Sequence, residues 1–195
     1  LSIFENEVII KTIKGDVIKS NYAEYDKSEG IIKLKGNIKA IDNQKNIIET
    51  EFAEYTEKNK IFKSIGATKI ITTEKYIISG QNIIMDNERN IIESDEKTLI
   101  TDTDNNQISL ENFRYNKVLN IFRSIGLTKL TDKKNNEYQF SQIYIDTEKK
   151  EILGTDTKAF INDNTLKSHV DNKPRIFSNT VKINNENSTF NKSRF

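Results

Sequence analysis

The chain has 195 residues, enough for one domain of ordinary size or two very small ones. Charged residues make up 30% of it, yet they cancel to a formal net charge of +1, so no basic surface exists to track phosphates and a nucleic-acid partner has no support. No run of roughly 18 apolar residues occurs that could cross a bilayer as a helix, and with no cysteine there is no disulfide framework, thiolate metal site or cysteine nucleophile. Leu, Ile, Val and Phe together reach roughly 28% of the chain, above the roughly 20% at which disorder is expected, so a folded protein with a thin core and a polar surface is predicted. The 31 Ile, 25 Lys and 24 Asn fit an AT-rich coding bias and carry no functional weight. No basic segment followed by an apolar one opens the chain, so the expectation is either a cytosolic protein or a targeting segment upstream of Leu1, and an opening Leu rather than Met favours the second.

Read in chain order, polar turn-rich stretches recur about every 15 residues: 26–30, 42–46, 56–60, 72–75, 86–90, 102–107, 116–120, 132–137, 146–150 and 162–165. Between them lie runs rich in Ile, Tyr, Phe and Thr, residues that suit a pleated surface, with no helical period. A strand of about ten residues at roughly 3.3 Å each is near 30 Å long. The motif Ile61-Phe62-Lys63-Ser64-Ile65-Gly66 returns as Ile121-Phe122-Arg123-Ser124-Ile125-Gly126, and a 30-residue grid connects Tyr25, Tyr55, Met85, Tyr115 and Ile145. Such self-similarity marks stacked supersecondary units, here two strands each. The prediction is an all-β fold, a β-jellyroll or folded antiparallel meander of about 12 strands. Residues 1–183 form its domain, with a last edge strand over 176–183 and a linker over 184–195.

Inside one strand of each unit the parity of apolar positions shifts. Ile48 and Phe52 share one parity and Ala53 and Tyr55 the other; Ile78 gives way to Ile83 and Met85, and Tyr138 and Phe140 to Ile143 and Ile145. A regular strand keeps its faces, so a bulge or bend is predicted at that place in every unit, aided by Gly36, Gly66 and Gly126. Repeated bends crease the meander into two layers with the apolar side chains between them, and the two terminal strands leave free edges.

Little in the chain suggests chemistry. Asp102-Thr-Asp104-Asn-Asn106 opens like a calcium loop but lacks the central Gly, and Phe113 stands where the bidentate Glu belongs, so a hairpin turn is the better reading. Asp146 and Glu148 sit in a turn without a cleft, and His169 has no partners for a zinc set. No phosphate loop or nucleophile elbow occurs, so no catalytic residue, metal or cofactor is expected.

The segments Tyr22-Ala-Glu-Tyr25-Asp26, Gly30-Ile-Ile-Lys-Leu-Lys-Gly36-Asn37-Ile38 and Ile47-Ile48-Glu-Thr-Glu-Phe52-Ala53-Glu-Tyr55 resemble the OstA-like repeat, over about residues 8–165. That domain is shared by the lipopolysaccharide-transport proteins LptA, LptC and LptD. The tail Asp171-Asn172-Lys173-Pro174-Arg175-Ile176 resembles the junction before the outer-membrane barrel of LptD-type members, although the absence of cysteine departs from their usual pattern. The resemblance implies a non-catalytic module at the periplasmic face of the outer membrane. It would shelter lipid A acyl chains and relay lipopolysaccharide from an LptA-like partner, added at the N-terminal edge strand, to a C-terminal β-barrel with an LptE-like plug. On alternation, the acyl-facing surface would comprise Ile32, Leu34, Ile38, Ile48, Phe52, Tyr55, Phe62, Ile78, Met85, Phe122 and Phe140. Two other readings are a soluble LptA-like bridge subunit and a structural cell-surface β-repeat with a packed interior. A solenoid enzyme is more distant, since no carboxylates cluster on one face of successive repeats.

Overall fold

The structure, a computed structural model, describes residues 1–13, 15–162, 175–184 and 186–194. His169 and the segment 171–174 of the proposed junction lie outside the described residues. The described residues are all-β: sixteen antiparallel strands and no helix. It divides into two compact units, Leu1–Glu96 and Lys97–Phe195, where the sequence reading has a single domain.

In unit 1 the strands are β1 (Ser2–Lys11), β2 (Val17–Asp26), β3 (Ile31–Ile41), β4 (Ile47–Thr56), β5 (Ile61–Ile71), β6 (Ile77–Gln81), β7 (Ile84–Asp86) and β8 (Ile91–Ser94). From β1 to β6 each strand pairs with the next. The β5 strand takes β6 along its second half and β7 along its first, and β8 pairs with β7. Unit 2 holds β9 (Thr98–Thr101), β10 (Gln107–Leu110), β11 (Phe113–Asn116), β12 (Ile121–Thr131), β13 (Glu137–Asp146), β14 (Glu151–Phe160), β15 (Arg175–Ile183) and β16 (Ser188–Arg194). Here β12 takes β10 and β11 along its two halves, and β12 to β16 follow as a meander. The strand count exceeds the expected dozen in part because long strands are broken in two, between β6 and β7 in unit 1 and between β10 and β11 in unit 2. Residues 188–194, read from sequence as linker, form β16 against β15.

The turns fall where the polar grid puts them, and the backbone explains the grid. Left-handed φ values recur at Gly15, Gly30, Lys45, Lys60, Lys75, Asn90, Asn105, Asn120, Asn135 and Lys150, one residue in each of ten hairpin turns. Asx side chains hold the turns. Asp42 Oδ1 accepts the N–H groups of Gln44 and Asn46, and Asp102 Oδ1 those of Asp104 and Asn106. The calcium-like stretch is thus a capped hairpin turn. Successive turns are also tied to one another. Asp16 Oδ1 accepts the N–H of Asn43, Asn46 Oδ1 that of Thr73, Asn106 Oδ1 that of Lys133, and Asn136 Oδ1 that of Asn162. On the opposite rim, main-chain bonds run from Glu57 N–H to Gly30 O and from Thr147 N–H to Asn120 O.

The crease is a bulge on alternate strands. Thr50 pairs with Thr68 and Phe52 with Ile65, so Glu51 on β4 faces the two residues Gly66 and Ala67 on β5. The same slip separates Lys35 from Ile38 on β3 and Ile125 from Thr128 on β12. Gly36, Gly66 and Gly126 supply the left-handed conformation there, with φ of 80°, 81° and 110°. At Gly36 a side chain would also press on Asn21, whose Nδ2 lies 3.0 Å from the position a Cβ would take.

Candidate functional site

Inward-facing side chains line up in rows across the strands of each unit, one row on each side of the crease. In unit 1 one row runs Tyr25, Ile32, Tyr55, Phe62, Met85 and Ile92 through direct cross-strand pairs. The other runs Ile18, Ala40, Ile48, Ile70 and Ile78. Apart from Tyr25, all of these are buried. In unit 2 the rows are Tyr115, Phe122, Ile145 and Ile152, and Ile108, Leu130, Tyr138 and Ala159. Each full burial of such a side chain contributes about 1.5–3 kcal/mol, so these rows are the main source of stability. Aromatic contacts reinforce unit 2: Tyr115 stacks on Phe122 with centroids 4.2 Å apart, and Phe113 lies 6.1 Å from Phe122. The Phe140 ring occupies the space where a side chain at Gly154 would stand.

Of the residues expected from alternation to face the interior, Ile32, Leu34, Ile38, Ile48, Tyr55, Phe62, Ile78 and Met85 are buried in unit 1, and Phe122 and Phe140 in unit 2. Phe52 is a correction: it is 47% exposed on the outer face, with the Lys35 ammonium 6.0 Å from its ring centroid. The face switches between Thr50 and Ala53, leaving Glu51 and Phe52 outside, whereas the apolar pattern places the switch after Phe52.

The open sides of the folded strands are drawn together. Within unit 1 the buried Asn87 Nδ2, in the turn after β7, donates to Asp16 Oδ2, at the end of the turn after β1, over 3.1 Å. Asp16 Oδ2 also accepts the Thr12 hydroxyl, and its Oδ1 the Asn43 N–H. This clasp joins turns from opposite rims, 71 residues apart in sequence. Burial pushes the neighbouring Tyr55 phenol up, and the charges of Asp16 and Glu57 add to the shift. In unit 2 Tyr138, at the start of β13, is buried. Its phenol too is raised, chiefly by burial.

No protein-family model matches this chain, and no curated protein does. Among solved structures, the chain is similar to the crystal structure of LptH, the LptA homologous periplasmic component of the conserved lipopolysaccharide transport device from Pseudomonas aeruginosa. That match has 14% identity and a TM-score of 0.30, and covers 73% of this chain and 82% of LptH.

Sequence reasoning missed the polar part of the interior, because it counted apolar positions only. Ser64, Thr68, Ser124 and Thr128 are all buried beside the crease, as are Thr50, Thr157 and Ser178. The available signal was the 60-residue identity of Ser64 with Ser124 and of Thr68 with Thr128. Among the described residues no group of three or more His, Cys, Asp or Glu is placed to hold a metal ion. Asp146 accepts both the N–H and the ammonium of Lys149 within its own turn, and Glu148 stands exposed beside it.

Proposed function

We propose that this chain is a non-catalytic lipopolysaccharide-transport module of the OstA-like family, which shelters acyl chains between the layers of its creased sheet. The observation that carries the reading is the pair of continuous apolar rows on either side of a repeated bulge, built from the segments that resemble the OstA-like repeat. An acyl chain placed along such rows leaves water at about 0.8 kcal/mol per CH₂. A uniform lining offers many similar positions and no single deep minimum, which suits passage rather than storage. The inner surface proposed for this is Ile32, Leu34, Ile38, Ile48, Tyr55, Phe62, Ile78, Met85, Phe122 and Phe140, without Phe52.

The edge strand β1 supports a role in assembly. It pairs with β2 on one side, and its Ile3, Phe4 and Ile9 are 57%, 50% and 55% exposed. We read this edge as the place where an LptA-like partner adds a strand, main chain to main chain. The location that follows is the periplasm. The finer reading is the N-terminal domain of an LptD-like protein that hands its cargo to a C-terminal barrel and its LptE-like plug. A soluble LptA-like bridge has the same inner surface, and the length of the open reading frame beyond Phe195 separates the two.

The test is photocrosslinking of lipopolysaccharide to a benzophenone side chain introduced at Ile48 or Met85, with Phe52 as the outward control. Crosslinks at the first two and none at Phe52 are expected. Crosslinks confined to the outer face, or none in a folded protein, would overturn the reading in favour of a packed structural repeat.

A further inference from the structure

Ser64 and Ser124 stand at one place in the repeat, as do Thr68 and Thr128, and all four are at most 5% exposed. In unit 1 the hydroxyls satisfy one another and the backbone. Ser64 Oγ accepts the Ile83 N–H at 2.8 Å and the Thr68 hydroxyl at 2.7 Å, and it lies 3.3 Å from the Ile83 carbonyl as a donor. Thr50 donates to the Ala67 carbonyl at 3.0 Å, and its oxygen lies 3.3 Å from that of Thr68, whose one proton goes to the nearer Ser64. In unit 2 the same network cannot form. Ile143, the counterpart of Ile83, lies within the unbroken β13 and pairs regularly with Ser124 and Gly154, and Leu110 stands where Thr50 would be. Ser124 Oγ is left with no partner, and so is Thr157 Oγ1 on β14, each in a residue 1% exposed. The cross-strand neighbour of Thr157, Ser178, directs its own hydroxyl to the carbonyls of Thr180 and Asn191.

A buried hydroxyl without a partner is destabilising and uncommon in folded proteins. Here two occur in one unit, on the inward face beside the crease, amid Phe140, Ile143 and other apolar side chains. We propose that Ser124 and Thr157, on strands separated by β13, are two polar contact points inside unit 2 for an acyl chain that carries hydrogen-bonding oxygens along its length, such as a hydroxyl or an ester carbonyl. This rests on the reading that acyl chains occupy the interior, and it adds selectivity to it. Unit 1, whose hydroxyls are already satisfied, accepts a plain hydrocarbon chain equally well. A hydroxyl both donates and accepts, so either oxygen type can partner either residue.

The experiment uses the full chain with two fatty acids of equal length, oleic acid and its hydroxylated analogue ricinoleic acid, and reads affinity by displacement of a fluorescent fatty acid. Ricinoleic acid is expected to bind about three- to tenfold more tightly, the worth of one added hydrogen bond. The double variant Ser124→Ala, Thr157→Val should bring that ratio close to one while raising the thermal midpoint, since two unpaired groups are removed. Ser124→Ala alone carries the same test if the double variant does not fold. Ser64→Ala should lower the midpoint and leave the ratio in place. A ratio of one in the parent chain, or an unchanged ratio in the folded variant, overturns the inference; a raised midpoint with an unchanged ratio means the hydroxyls meet only solvent. Failure of both fatty acids to bind overturns the acyl-chain reading itself, and the inference with it.

Discussion

Unit 1 and unit 2 bend their strands at matching residues, yet they solve the bend differently. In unit 1 the strand beside Ser64 stops after Gln81, Asn82 turns left-handed at φ 49°, and the freed Ile83 N–H and carbonyl are both bound at Ser64. In unit 2 the corresponding strand beside Ser124, β13, runs on without a break, the interruption falls on the other side between β10 and β11, and the aromatic residues Phe113, Tyr115, Phe122 and Phe140 are buried. Both units bind crease main chain with an Asn side chain, Asn82 to Gly66 and Asn112 to Ile125, but only unit 1 also satisfies the serine beside it. The lesson is that a serine in a repeat is only as satisfied as the strand next to it allows.

The sharpest way to break this contrast is to remove a ring. Phe122→Ala, at a fully buried site stacked on Tyr115, should destabilise unit 2 by about 3–5 kcal/mol, read by urea unfolding. Phe52→Ala, at the outward position in unit 1, should cost less than about 1 kcal/mol. If the two costs were equal, the assignment of inner and outer faces would be wrong. Next comes the serine pair. Ser64→Ala leaves the Ile83 N–H without its acceptor and should cost about 1–3 kcal/mol, whereas Ser124→Ala should be neutral or stabilising.

The clasp gives a smaller effect. Asn87→Ala leaves the buried Asp16 carboxylate short of one donor and should cost about 1–2 kcal/mol, with increased binding of a hydrophobic dye as the rims of unit 1 part. No dye response would mean the clasp does not guard the interior.

The smallest effect is on pH dependence. Asp26 is held below the usual carboxylate range chiefly by the Ser28 hydroxyl, and Asp146 chiefly by the Lys149 N–H. For Asp86 partial burial works the other way, but the Arg89 N–H and guanidinium and the Glu88 N–H outweigh it, and the pKa is again lowered. A carboxylate with a lowered folded pKa contributes in full above its unfolded value of about 3.9, and loses that contribution as pH falls through the folded value. Stability should therefore be flat in these groups above about pH 5 and decline in acid, and Asp86→Asn should flatten that decline. An unchanged acid limb in the variant would count against the turn carboxylates.

Much of this fold was legible because its turns obey local rules. The hairpins at 26–30, 42–46 and 102–106 are written in Asp, Asn and Gly at fixed offsets, and the structure forms them there. The crease was legible in kind but misplaced at Phe52. A bulge puts one residue of β4 opposite two of β5, and the parity of a single strand does not report which strand carries the extra residue. The broken strands were not legible, since the break at Asn82 depends on what Ser64 offers from the neighbouring strand. The clasp between Asp16 and Asn87 was hidden for the same reason: it exists only once two rims have been folded together.

Apart from the clasp between Asp16 and Asn87, the ties between turns described above run from one hairpin to the next on the same rim, as from Asn46 to Thr73 or from Asn106 to Lys133. No hairpin depends on a distant one for its place in that ladder, so copying a repeat during gene duplication adds a piece whose bonds are already specified. Each copy brings two strands and lengthens the stack by about 10 Å. The reach of such a protein is thereby adjustable in whole steps, by counting repeats rather than by redesigning a core.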